Sequence, residues 1–217
     1  MSEILDIELQ GELLQLHPLK ALYWPGQSIL FLADLHLGKA AHFRKSGIPV
    51  PERVKNTNRQ NLEALLHRFN PGRVIFLGDL FHSRYNLVWD ELGQFMAQFP
   101  KISFELVPGN HDILSPEHYE SLALEVHNTT LVLPPFICSH HPLTESALPL
   151  YNLAGHIHPS VLLAGGARQK LRLPCFYFGK TGGILPAFGA FTGTANIQPM
   201  QGDRIFVITE DAVVAVE

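Results

Sequence analysis

Short unbroken apolar runs and short polar clusters keep a fixed relation along this chain. The runs Ser28 to Ala33, Arg73 to Leu77, Ile102 to Val107, Phe136 to Ser139 and Leu153-Ala154 are followed at once by Asp34, Gly78-Asp79, Pro108-Gly109-Asn110-His111, His140 and Gly155-His156. Apolar runs of this length bounded by Gly or Pro read as strands buried on both faces. Between the first two runs, Pro51 to Phe69 places Val54, Leu62, Leu65, Leu66 and Phe69 at helical spacing, opening on a proline and stopping before Asn70-Pro71-Gly72. Leu87 to Phe99 carries a second helical stripe, ended by Pro100. The front half is therefore predicted as strand, helix, strand, helix, strand. After Pro159, glycines and prolines punctuate runs at Leu171 to Phe178, Ile184 to Phe191, Arg204 to Thr209 and Ala212 to Val216, a pattern of hairpins. Together these predict an α/β sandwich in which two mixed β-sheets pack face to face and are flanked by helices. Ligands of open α/β sheets collect beyond the carboxyl ends of strands, where every polar cluster falls.

No linker, charge block, low-complexity tract or repeat divides the 217 residues, so 1–217 is expected to form a single domain. With 46% hydrophobic and 17% charged residues the composition excludes a disordered chain. No apolar run approaches the ~20 residues of a membrane helix. The start, MSEILDIELQ, has neither the basic segment nor the apolar run of a secretory signal, so a cytoplasmic location without a membrane partner is expected. Cys138 and Cys175 are expected to be reduced and buried.

The twelve histidines, against three methionines, point to chemistry. Asp34-x-His36, Asp79, Asn110-His111-Asp112, His140-His141 and His156-x-His158 offer carboxylate, amide and imidazole ligands without thiolate. That set suits Mn²⁺, with Fe or Zn²⁺ as alternatives, and not a structural zinc site. Seven or eight such groups exceed the needs of one ion. They suit two divalent ions about 3.5–4 Å apart, the arrangement for in-line displacement at phosphorus. Strand alternation lets only one of His140 and His141 point inward. His111, beside a candidate ligand and followed by Asp112, is the candidate general acid. His82 is either a group beside the site or an exposed loop residue, and His17, His67, His118 and His127 read as surface or boundary residues. Neither a Gly-x-Ser-x-Gly elbow nor a phosphate-binding Walker loop occurs.

A net charge of −4 argues against a protein that coats nucleic acid. The charge is uneven, however: residues 39 to 73 hold Lys39, Arg44, Lys45, Arg53, Lys55, Arg59, Arg68 and Arg73 against only Glu52 and Glu63. Lys39, Arg44 and Lys45 directly follow the first cluster and are candidate phosphate contacts. The alternative is a solvated cationic face.

The five clusters resemble the motifs of the calcineurin-like binuclear metallophosphoesterases, here Asp34-Leu35-His36, Gly78-Asp79, Gly109-Asn110-His111-Asp112, Ser139-His140 and Gly155-His156-Ile157-His158. The resemblance implies that Asp34, His36 and His158 bind a first metal and Asn110, His140 and His156 a second, with Asp79 bridging, and that His140 rather than His141 is the inward-pointing neighbour. It further implies that His111 sits beside the leaving group, oriented by Asp112. The stretches from Asp34 to Pro51 and from Leu185 to Gly193 are similar to the bacterial ligase-associated DNA-damage-response phosphodiesterases of the PdeM type. This second resemblance implies a DNA-directed phosphodiesterase or endonuclease in repair, working beside a DNA ligase, a helicase and an exonuclease. The rivals are a small-substrate phosphoesterase, such as a nucleotide pyrophosphohydrolase or phosphomonoesterase, and a non-catalytic metal-binding scaffold.

Overall fold

A computed structural model describes residues 3–39, 43, 53–82, 87–144, 149–164 and 170–216. The chain opens on an antiparallel meander absent from the expected pattern: β1 (Leu5–Leu9), β2 (Glu12–His17) and β3 (Ala21–Trp24). Gln10 and Gly11, with φ of 55° and 79°, turn β1 into β2, as the two left-handed residues of a tight hairpin do. Ile7, Leu9, Leu14 and Leu16 are buried while Asp6, Glu8 and Leu13 face solvent, the alternation of strands covered on one face only. From β4 (Ile29–Ala33) onward the sheet is parallel, through β5 (Arg73–Leu77), β6 (Ser103–Val107) and β7 (Leu124–Val126). Its order is β1-β2-β3-β4-β5-β6-β7. The crossovers carry α1 (Arg53–Phe69), α2 (Leu87–Met96) and α3 (Pro116–Ser121). Helix α2 stops before the expected Phe99 because the amides of Gln98 and Phe99 turn to carbonyls three residues back, which tightens the last turn.

The second sheet comprises β8 (Thr130–Leu133), β9 (Phe136–Ser139), β10 (Tyr151–Ala154), β11 (Pro159–Ala164), β12 (Lys170–Phe178), β13 (Gly182–Ile184), β14 (Ala195–Asn196), β15 (Arg204–Ile208) and β16 (Val213–Val216). Its order is β14-β11-β12-β13-β10-β9-β8, with β15 and β16 attached through β12. Both sheets are mixed, as expected. The expected strand from Ile184 to Phe191 is a correction: β13 ends at Ile184, and the following residues leave the ladder to cross toward the first sheet. Ala187 bridges Ala33, and the Phe188 amide donates to the Ala33 carbonyl at 2.8 Å. Leu185, Ala187 and Phe188 are apolar because that crossing arm is buried.

Two apolar layers hold the sandwich. One lies between the sheets, where Phe31, Ile75, Leu77 and Val107 meet Phe136, Leu153, Phe176 and Phe206. The other takes the alternate residues Leu30, Leu32, Val74, Phe76 and Leu106 against Leu62, Leu65 and Leu66 of α1 and Trp89, Leu92 and Phe95 of α2. The described helices thus cover the outer face of the first sheet. Leu65 is fully buried, so truncating it to Ala costs about 2–5 kcal/mol. Among the described residues no helix is long and apolar enough to cross a membrane.

Register places the polar clusters side by side. Ala33 pairs with Leu77 and Leu77 with Val107, so the residues after β4, β5 and β6 emerge on one level. In the second sheet Ser139 pairs with Ala154 and Ala154 with Ile184. The arm after β13 then brings the carboxyl ends of the two sheets together.

Candidate metal centre

Five of the seven proposed ligands stand on left-handed backbone: Asp34 (φ 54°), His36 (46°), Asp79 (49°), His156 (67°) and His158 (52°). For residues with a Cβ such conformations cost about 1–3 kcal/mol each and persist only where the surroundings impose them. Gly78, at φ 73°, is required for a second reason, since a Cβ there would run into the His140 ring.

These turns aim the side chains at one another. Asp34 is fully buried; its Oδ2 accepts the His156 amide at 2.9 Å, joining the two sheets. Its Oδ1 makes no hydrogen bond among the described residues and lies 3.4 Å from His158 Nε2 and 3.8 Å from His140 Nδ1. Asp79 Oδ1 accepts the His111 amide at 2.9 Å and lies 3.5 Å from His140 Nε2, while Oδ2 lies 3.7 Å from His36 Nε2. His140 Nε2 is 3.1 Å from both Asn110 Oδ1 and His156 Nδ1, and its Nδ1 is 3.1 Å from the Leu77 carbonyl. His36 Nδ1 is a second buried atom without a hydrogen bond among the described residues.

Two carboxylates and several imidazoles, with a buried carboxylate oxygen and a ring nitrogen left over, fit divalent cations. The ligand atoms of Asp34, His36 and His158 lie within 4.8 Å of one another, as do those of Asp34, Asp79 and His140, and those of His140, His141 and His156. The first trio is the set expected for one ion. In the last, His140 is buried at the centre and His141 is exposed at the rim. Burial lowers the His36 pKa to about 3 and lowers that of His156, which keeps both rings neutral and able to coordinate. Burial opposes protonation of His158, but the Asp34 carboxylate and the Gly193 carbonyl outweigh it and hold its pKa above the usual value.

The remaining expected residues spread around this centre. His111 is at the rim, its side chain 42% exposed and its Nε2 4.0 Å from Asp79 Oδ2. Its ring packs 5.4 Å from that of His82 and 5.5 Å from that of His36, so the fold brings His82 beside these two rings. Asp112 differs from the implied role: its oxygens accept the Phe81 amide at 3.2 Å and the Gly109 amide at 2.9 Å, and among the described residues neither bonds the His111 ring. Burial pushes its pKa up to about 6. Lys39 is half-buried near the carboxylates; burial lowers its pKa, with Asp79 and Asp34 opposing. Arg44 and Lys45 lie outside the described residues. Arg73 faces away from the site and clasps Glu105, and Arg59 sits over Phe95.

Asn58 of α1 is a site residue that the sequence pattern misses. Its Nδ2 donates to the Leu35 carbonyl at 3.3 Å and its Oδ1 accepts the Ala190 amide at 2.9 Å. It thereby ties the loop bearing Asp34 and His36 to the arm whose Gly193 carbonyl lies 3.0 Å from His158 Nδ1. A polar residue on an amphipathic helix carries no signal of such a role.

The calcineurin-like phosphoesterase family profile matches residues 27–181, which include every cluster of this centre. The chain belongs to that family. The crystal structure of the Pseudomonas putida nuclease MPE matches with a TM-score of 0.82 and 32% identity, covering 99% of this phosphoesterase and all of that chain. A phosphoesterase from E. coli, Yfce, matches at 15% identity over 84% of this chain and 88% of its own, but its TM-score of 0.39 carries no weight. None of the curated proteins matches.

Proposed function

We propose that this phosphoesterase is a binuclear, Mn²⁺-dependent phosphodiesterase that cleaves DNA. The observation that carries the reading is the convergence, on imposed left-handed backbone, of Asp34, Asp79 and three histidines, with Asp34 Oδ1 and His36 Nδ1 buried and without a hydrogen bond among the described residues. Asp34, His36 and His158 would hold one ion, Asn110, His140 and His156 the other, and Asp79 would lie between them. Such a pair of ions, when bound, supplies Lewis acidity that activates water and neutralises phosphate oxygens. The chain supplies the rest. His111 is exposed enough to meet a leaving oxygen, and its amide bond to Asp79 fixes its height above the centre. It donates the proton that the leaving alkoxide needs. Asp112 braces the His111 loop against the end of β5 through the Gly109 and Phe81 amides. Lys39 adds positive charge where the phosphate approaches.

A nucleic-acid substrate is supported by 32% identity over 99% of the chain to a nuclease, and DNA in particular rests on the sequence resemblance. A cytoplasmic setting beside a DNA ligase, helicase and exonuclease of a repair pathway belongs to the same proposal and rests on the sequence resemblance. The test is turnover of bis-p-nitrophenyl phosphate, p-nitrophenyl phosphate and single- and double-stranded DNA with Mn²⁺, Mg²⁺ and Zn²⁺ in turn. Diester and DNA cleavage, greatest with Mn²⁺, is expected, and turnover confined to the monoester would replace this reading with the small-substrate one. His111→Ala should lower DNA turnover by roughly 10²- to 10⁴-fold while leaving metal content intact. The loss should be smaller on p-nitrophenyl esters, whose leaving group needs less protonation.

A further inference from the structure

A row of four rings climbs from the metal centre to its rim. His82 lies 5.7 Å from His36 and stacks on His111, the planes 29° apart. Phe43 continues the row beyond His82 at 6.4 Å and 23°. Phe191 stands edge-on to Phe43 at 5.5 Å and 78°. The histidines belong to the chemistry described above, whereas the two phenyl rings offer neither charge nor ligand atom. Phe191 nevertheless remains 36% exposed.

The arm that carries Phe191 is fixed on both sides of it. The Gly189 amide donates to the Asp34 carbonyl at 3.2 Å, the Ala190 amide to Asn58 at 2.9 Å, and the Thr192 hydroxyl to the Gly189 carbonyl at 3.0 Å. A held apolar ring at the mouth of a site loses little conformational freedom when a flat partner covers it. On the proposed phosphodiester reading, the flat group attached next to the reacting phosphate is a nucleobase.

We propose that Phe43 and Phe191 form a stacking subsite for an unpaired nucleobase flanking the scissile phosphodiester. The proposal rests on the phosphodiesterase reading. Stacking on aromatic rings accepts any base, because each has a π-face, so the subsite strengthens binding without reading sequence.

The test is fluorescence anisotropy of Mn²⁺-loaded protein with a labelled oligothymidylate and with an abasic oligomer of equal length, both carrying cleavage-resistant phosphorothioate linkages, in parallel with bis-p-nitrophenyl phosphate turnover by the wild type. The wild type should bind the base-bearing oligomer more tightly than the abasic one by roughly 5- to 150-fold. Phe191→Ala should erase most of that ratio by weakening only the base-bearing complex. Phe191→Leu, which keeps an apolar side chain but loses the π-face, should erase it too, and Phe191→Trp should keep or raise it. Equal affinities of the wild type for the two oligomers, or a full ratio in Phe191→Leu, would overturn the subsite even with vigorous diester turnover. Absent diester turnover with a base-dependent ratio that Phe191→Ala abolishes would instead sink the phosphodiesterase reading and keep the subsite.

Discussion

Two polar clusters are buried against the same parallel strands, and they differ in what they lack. On β6, Glu105 is 1% exposed, yet it is surrounded by partners. Arg73 Nε and Nη2 donate to its two oxygens at 2.6 and 2.7 Å, and His127 Nε2 lies 2.7 Å away. Together they hold its carboxyl below the usual range against the opposing effect of burial. Beyond the carboxyl ends of the strands, Asp34 and His36 are also buried but keep atoms without hydrogen bonds among the described residues, on backbone that costs free energy to hold. Glu105, Glu125 and His127 also lie close enough together to suit an ion, but a guanidinium already sits on Glu105. Proximity of ligand-type residues therefore does not identify a metal centre. Unmet bonding capacity combined with imposed strain does.

Substitutions in each cluster should separate the two roles. Asp79→Asn removes a negative charge shared by both proposed ions. Metal content and turnover should fall together to background, and elemental analysis finding two ions would contradict the bridging assignment. Arg73→Ala leaves a buried carboxylate short of its main partner and should destabilise the fold by about 3 kcal/mol, measured by urea denaturation. Metal affinity of the folded protein should stay at the wild-type level; a parallel loss would mean that the two clusters are coupled. Asn58→Ala unties the two loops beside His36 and His158 and should weaken metal binding about 10-fold, as loss of a ligand's supporting bonds does. Asn58→Asp, which can accept from Ala190 but cannot donate to Leu35, should fall between, by calorimetric titration with Mn²⁺.

The smallest expected effect concerns His17, which is buried although its isolated position suggests a boundary residue. Its Nδ1 accepts the Leu19 amide at 3.0 Å, and burial, helped by Arg68, lowers its pKa to about 4. The folded protein thus binds fewer protons here than the unfolded chain, and stability declines as pH falls from 6.5 toward 4. Between pH 6.5 and 5.5 the decline should be about 1 kcal/mol. His17→Asn, which keeps an acceptor at the same place, should remove that slope; identical slopes in both proteins would show that His17 does not titrate in this way.

The parallel strands and their terminal clusters are legible because strands buried on both faces must be apolar throughout, so a polar residue marks their end. β5 matches its expected bounds, Arg73 to Leu77, for that reason. The meander β1 to β3 is harder to see, since one solvated face mixes Asp6, Glu8 and Gln15 into the apolar pattern. Its clue is Gln10-Gly11 between two alternating segments. The arm after β13 misleads in the opposite sense: Leu185 and Phe188 are buried like strand residues, but apolarity reports burial and not the partner of the backbone. Asn58 is invisible in the sequence because its significance lies in Ala190, 132 positions away.

That separation has a consequence for biosynthesis. The bond from the His156 amide to Asp34 spans 122 positions, and the Gly193 carbonyl beside His158 comes later still. Chains emerge from the ribosome at about 5–20 residues per second. The first sheet is complete once β7 has appeared, but both ends of the centre meet only after the arm has followed. A nascent chain paused between β7 and β10 exposes Asp34, His36 and Asp79 without His156 or His158. A chain terminated before β10 would therefore lack His156 and His158, two of the seven proposed ligands, together with the second-sheet residues Leu153, Phe176 and Phe206 that cover the inner face of the first sheet.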